Sequence, residues 1–194
     1  MCLEVNNPPT GEYAGGFAIF DRRRSFLYDG TAGVEAVYKV FVDLDGVLVD
    51  FEKGVKAATG EEAHAMSPRA MWPILARTPG FYAQLDWTSD GRELWAFVSK
   101  HDPTILSGLP LGFWARPQKI EWCRRELGSG VPVITCMSRE KAKKGAEATP
   151  DGRTMLLIDD RESIREAWER MGGVFVLHRF ARESIEKLRG LGFE

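Results

Sequence analysis

The sequence predicts an α/β protein: a Rossmann-like parallel sheet of about five strands with helices on both faces, and a small helical cap inserted after the first core strand. Three observations lead there. Five short apolar runs rich in β-branched residues recur along the chain, and stretches with helical periodicity separate most of them. Residues able to do chemistry directly follow four of the runs.

Residues 1–37 stand apart as an N-terminal extension, punctuated by Pro8-Pro9, Gly15-Gly16, Gly30 and Gly33. Within it, apolar stretches at 17–20 and 25–28 flank Asp21-Arg22-Arg23-Arg24, which reads as a small hairpin or a flexible extension. Tyr38–Val42 is β-branched and aromatic, a buried strand that runs straight into Asp43-Leu44-Asp45-Gly46. Residues 51–102 hold helix-like segments broken at Pro68, Pro73 and Pro79-Gly80, carry Trp72, Phe81, Tyr82, Trp87, Trp95 and Phe97, and show no convincing strand. They read as a helical cap with a core of its own, inserted into the fold. Further strands are predicted at 103–106, 131–135, 155–158 and 174–177. Between them, 118–127 puts Ile120, Trp122, Cys123 and Leu127 partly on one helix face and stops at Gly128. Residues 163–171 place Ile164, Ala167, Trp168 and Met171 at helical spacing and stop at Gly172-Gly173. A last helix is predicted at 184–191. The core is thus split between 38–50 and 103–194.

With 44% hydrophobic and 28% charged residues, the chain can bury a core, which excludes global disorder. A formal charge of −2 excludes a grossly basic nucleic-acid coat. No apolar run approaches the roughly 18 residues of a membrane span, and no basic region followed by an apolar stretch opens the chain. Cys2, Cys123 and Cys136 are too few and too scattered for a disulfide framework. The expectation is a cytoplasmic protein without a membrane partner.

In an open parallel sheet, ligands bind beyond the carboxyl ends of the strands. Asp43 and Asp45 follow the first strand, and positions i and i+2 of an extended segment point the same way. Ser107 and Gly108 follow the second strand, Ser138-Arg139-Glu140-Lys141 the third, and Asp159-Asp160 the fourth. So many carboxylates in one crevice repel one another unless a cation neutralises them. Oxygen ligands of this kind suit Mg²⁺, a hard ion that also binds substrate phosphate. The hydroxyl, the lysine and nearby backbone N–H groups would take the remaining phosphate oxygens. Phosphoryl transfer is the chemistry that needs this set.

These residues carry a resemblance. The run 40–47, Ser107 after Thr104-Ile105-Leu106, Lys141, and Leu156-Leu157-Ile158-Asp159-Asp160 resemble, in order, the four motifs of the haloacid dehalogenase superfamily. Within it, Asp43–Phe51, the turn Pro79-Gly80-Phe81-Tyr82 and Ser138-Arg139-Glu140-Lys141 are similar to the 5'(3')-deoxyribonucleotidases and related phage and bacterial proteins. The resemblance implies a Mg²⁺-dependent phosphatase in which Asp43 is the nucleophile and Asp45 the general acid and base. It also implies that Asp43, Asp45 through its carbonyl, Asp159 and Asp160 hold the metal, with Asp160 favoured over Asp159. Ser107, Gly108 and Lys141 would bind phosphate.

Two departures stand out. Gly108 replaces a second hydroxyl that some relatives carry, and Lys141 lies 18 positions before Asp159, a long gap that implies an extra loop around Gly145, Pro150 and Gly152. Lys119, Lys143 and Lys144 compete with Lys141, the plain reading of all of them being a solvated helix face. Phe51, Trp72 and Phe81 are the candidates to stack on a nucleobase. The expected substrate is a small phosphomonoester, a (deoxy)nucleoside monophosphate first of all. The alternatives are a phosphatase of nucleic-acid ends using Arg22–Arg24, a non-catalytic binding protein of the same fold, and in any case a possible homodimer. His64, His101 and His178 show no metal-ligand spacing, and Cys136 reads as a buried structural thiol.

Overall fold

The computed structural model describes residues 37–194, so the hairpin reading of 17–28 and the Arg22–Arg24 run lie outside the described residues. Its elements in chain order are β1 (Tyr38–Val42), α1 (Phe51–Thr59), α2 (Pro68–Arg77), α3 (Gly91–Val98), β2 (Thr104–Gly108), α4 (Ala115–Glu126), β3 (Val133–Cys136), α5 (Lys141–Glu147), β4 (Thr154–Asp159), α6 (Arg165–Arg170), β5 (Val174–Leu177) and α7 (Ala181–Gly190). The five strands are all parallel, in the order β3-β2-β1-β4-β5. The chain therefore moves outward from β1 to β3, then returns to lay β4 on the other side of β1. That reversal leaves a crevice beyond the carboxyl ends of β1 and β4.

Strand periodicity sorts the side chains into two layers. Val40, Val42, Ile105, Leu156 and Ile158 pack with Leu94 and Val98 of α3, Trp122 of α4, and Ile185 and Leu188 of α7. Phe41, Leu106, Leu157 and Phe175 point the opposite way, against Ala142 of α5, Ile164 just before α6 and Trp168 within it. The alternation along β1, Val40 to one layer and Phe41 to the other, is what a strand buried on both faces requires.

Trp168 anchors the second layer. Its ring meets Phe41 edge-on at 5.6 Å, and its indole N–H donates to the Val174 carbonyl at 3.0 Å. Gly145 approaches this ring so closely that a Cβ there would lie 2.4 Å from it. Gly145 thus belongs to α5, and the extra loop expected around it shrinks to the short turn between α5 and β4.

The 51–102 stretch contains three α-helices and no core strand, but they do not share one role. In α1, the Asp50 carboxylate accepts from the Lys53 N–H at 2.9 Å, and Gly60 closes the helix at φ 80°. In α2, Ser67 accepts from the Ala70 N–H at 3.3 Å, ahead of Pro68 in the first turn. These two helices pack on each other, and the 3₁₀ turn Tyr82–Gln84 packs on α4. Helix α3 instead packs against α7 over the sheet, as the crossover from β1 to β2 demands. Val55, Met71, Leu75, Phe81 and Tyr82 share a single cluster with that sheet face, so the insertion has no separate core. No helix among the described residues is long and apolar enough to cross a membrane.

Candidate active site

The chain leaves β1 in a tight turn. Asp43 extends the ladder to β4 by donating its N–H to the Ile158 carbonyl at 3.0 Å. The Leu44 carbonyl then accepts from the N–H groups of Val47, Leu48 and Val49 at 3.1, 2.8 and 2.9 Å. Gly46 makes this turn possible at φ 72°, and a Cβ on it would lie 2.3 Å from the Asp160 Oδ2. Glycine is needed here for both reasons: the left-handed backbone and the close seat of Asp160.

Two buried lysines enter from opposite layers. Lys141, the first residue of α5, places its ammonium 2.9 Å from Asp43 Oδ2 and 2.6 Å from Asp159 Oδ2. Lys119 of α4 donates to Asp45 Oδ2 at 2.6 Å, to Ser107 Oγ at 2.9 Å and to the Gly108 carbonyl at 2.9 Å. That uses all the donors an ammonium has. Ser107 therefore accepts from Lys119 and keeps its own O–H to donate. Lys143 and Lys144, by contrast, pair with Glu147 on the outer face of α5.

Asp43, Asp159 and Asp160 each present a carboxylate oxygen, all within 4.8 Å of one another. Asp43 and Asp159 are buried, and Asp159 Oδ1 also accepts from the Arg161 N–H at 2.9 Å. The Asp45 carboxylate stands outside this cluster, turned to Lys119. Burial pushes Asp159 up to about 6, helped by the Asp43 charge and opposed by Lys141. Asp160 keeps an exposed flank, yet desolvation, with Asp43 and Asp159 alongside, pushes it up to about 7. Burial also raises Asp45 against the pull of Lys119. For Lys141, burial favours the neutral amine, but Asp43 and Asp159 together outweigh it and hold the ammonium above its ordinary value.

A cavity of about 1030 Å³ opens over these groups. Its lining joins Asp43, Asp45, Gly46, Gly108, Ser138 and Asp160 with the aromatic rings of Phe51, Trp72, Tyr82 and Trp114. Phe81 is not in the lining: it is buried behind Phe51, edge-on to it at 5.9 Å. Ser138 Oγ stands 2.5 Å from where a Cβ on residue 108 would be, so this hydroxyl fills the space that Gly108 leaves. It accepts from the Arg161 guanidinium at 3.1 Å.

Sequence reasoning missed Tyr82 and Trp114 as site residues and ranked Lys119 only as a competitor of Lys141. For Lys119 a signal existed: it precedes Trp122 and Cys123 at i+3 and i+4, the face that α4 buries. Ile120, assigned to that face from the sequence, is exposed instead. For Tyr82 and Trp114 no local signal existed, since turn residues lack a repeating face. Burial pushes the Cys136 thiol up to about 11 and the Cys123 thiol up to about 12, which disfavours the thiolate in both. No family model matches the chain, and no curated protein matches it in sequence.

Proposed function

We propose that this chain is a Mg²⁺-dependent phosphomonoester hydrolase of the kind its resemblance to the haloacid dehalogenase superfamily implies. The observation that carries the reading is the state of Asp43. Lys141 pins one of its oxygens, while Oδ1 is buried and has no hydrogen-bond partner. A buried carboxylate oxygen is costly to leave unpaired, and a nucleophile needs such an oxygen free.

The donor set fits a divalent cation. Four carboxylates face two buried ammoniums, which leaves two negative charges, and every free ligand atom is a carboxylate oxygen. Asp43, Asp159 and Asp160 would hold Mg²⁺, which when bound supplies charge neutralisation and polarises the phosphoryl group. Asp43 Oδ1 attacks phosphorus as the bond to the alcohol oxygen breaks, giving a phosphoaspartyl enzyme. Asp45 hands its proton to the leaving alcohol, a role favoured by its raised pKa. It then takes a proton from the water that attacks phosphorus and frees Asp43. Lys119 holds Asp45 by Oδ2 and leaves Oδ1, itself unpartnered, to move the proton. The Ser107 hydroxyl, Lys141 and Ser138 bind the phosphoryl oxygens.

The cavity is large enough for a nucleotide-sized ligand. Its aromatic wall suits a flat alcohol moiety, which supports a nucleoside monophosphate as substrate. Asp43→Asn is expected to abolish Mg²⁺-dependent phosphate release from nucleoside monophosphates and p-nitrophenyl phosphate, with an unchanged thermal melt. Full activity in that variant would overturn the mechanism.

A further inference from the structure

Four buried side-chain oxygens among the described residues have no hydrogen-bond partner, and three of them belong to residues lining the cavity: Asp43 Oδ1, Asp45 Oδ1 and the Tyr82 hydroxyl. The first two have tasks in the proposed reaction. The phenol has none. Tyr82 is only 2% exposed, and its ring is held on several sides. Phe81 meets it edge-on at 5.0 Å, Trp114 stacks on it at 5.4 Å, and the Lys119 ammonium sits 4.3 Å from its centroid. Its N–H donates to the Gln118 side chain at 2.9 Å, which fixes the backbone as well. The hydroxyl therefore cannot swing out to water.

A phenylalanine would keep every one of these ring contacts. The hydroxyl adds only a polar group, and a buried polar group without a partner is disfavoured unless some bound state satisfies it. Burial, with the charges of Asp45 and then Asp43, holds the phenol far above its ordinary pKa, so it stays an O–H donor. The Lys119 ammonium that sits over its ring also holds Asp45 Oδ2, which sets the phenol beside the acid.

We infer that Tyr82 is a specificity-determining residue whose O–H donates a hydrogen bond to an oxygen of the substrate's alcohol part, other than the ester oxygen that Asp45 protonates. The site then prefers esters of oxygen-bearing alcohols, such as pentoses, over plain aromatic alcohols. This rests on the phosphatase reading and deepens it. A site built around such a hydrogen bond discriminates strongly, because an analogue without the oxygen leaves the donor unpaired.

The test is Tyr82→Phe, with kcat/KM measured in Mg²⁺ on a nucleoside 5'-monophosphate and on phenyl phosphate, whose alcohol carries no second oxygen. The variant is expected to lose about tenfold on the nucleotide, the worth of one neutral hydrogen bond, and to keep the wild-type value on phenyl phosphate. The inhibition constant of the free nucleoside, which requires no turnover, should rise by the same factor. An equal change on both esters, or an unchanged inhibition constant, would overturn the role of Tyr82 while leaving the phosphatase reading intact. A wild-type protein that releases phosphate from neither ester would overturn both.

Discussion

Lys119 and Lys141 are equally buried, each 1% exposed, and they come from helices on opposite faces of one sheet. They nevertheless do different things. Lys141 lies between carboxylates from the ends of neighbouring strands β1 and β4 and acts as a counter-ion. Lys119 spreads its donors over one carboxylate, one hydroxyl and one carbonyl, and acts as a brace. The difference comes from strand alternation. Asp43 and Asp159 follow core residues Val42 and Ile158 of the α3–α4 layer, so they turn toward α5, while Ser107 follows Leu106 and turns toward α4. The same residue type becomes a counter-ion or a brace according to what the strand ends offer it.

The largest expected effect comes from breaking the counter-ion. Lys141→Met leaves Asp43 and Asp159 buried without compensation, and urea unfolding should show a loss of about 3–5 kcal/mol, together with loss of turnover. Breaking the brace should cost less. Lys119→Met strands a hydroxyl and a carbonyl, but the Asp45 side chain is 27% exposed, against 5% for Asp43 and 0% for Asp159. A loss of about 1–3 kcal/mol is expected, and kcat should fall about 10²-fold because the acid is no longer aligned. Equal destabilisation by the two substitutions would refute the distinction.

The smallest effect is the pH dependence that the counter-ion side contributes. Burial pushes Asp159 up to about 6 and Asp160 up to about 7 in the folded protein, against roughly 3.9 in an unfolded chain. Across that window the folded state holds protons that the unfolded state has released, so stability falls as pH rises. Thermal melts in EDTA from acid to neutral pH should show the fall, and Asp160→Asn should flatten it. Comparing the two proteins cancels the opposing contribution of His178, whose buried ring resists charging as pH drops. An unchanged slope in Asp160→Asn would show that its carboxyl is not raised.

Much of this arrangement can be read along the chain. The sheet is visible because each strand is a short apolar run, most deeply buried in the central β1, β2 and β4, and residues directly after such a run must lie at the sheet's carboxyl edge. That is how Asp43, Ser107 and Asp159 can be placed before any coordinates exist. Lys141 follows the same rule through the turn after β3. Helix faces are harder. In α4 the buried stripe runs through Lys119, Trp122 and Cys123, whereas hydrophobicity alone selects Ile120. A lysine looks like surface until a carboxylate distant in sequence receives it.

The aromatic wall shows the limit most clearly. Phe81 and Tyr82 are adjacent aromatics in the sequence, yet Phe81 fills the core behind Phe51 while Tyr82 lines the cavity beside Trp114. Helix α3 likewise looks like part of the insertion until α7, about half the length of the chain away, packs on it. Local periodicity and the position of polar residues after apolar runs are properties of neighbouring residues, and they specify the strands, their order of chemistry and the acidic ends. Which lysine is desolvated, which ring faces the cavity and where the insertion meets the core depend on contacts between segments far apart in the chain. Only the packing of the layers settles those, because burial is a property of the assembled surfaces and not of the segment.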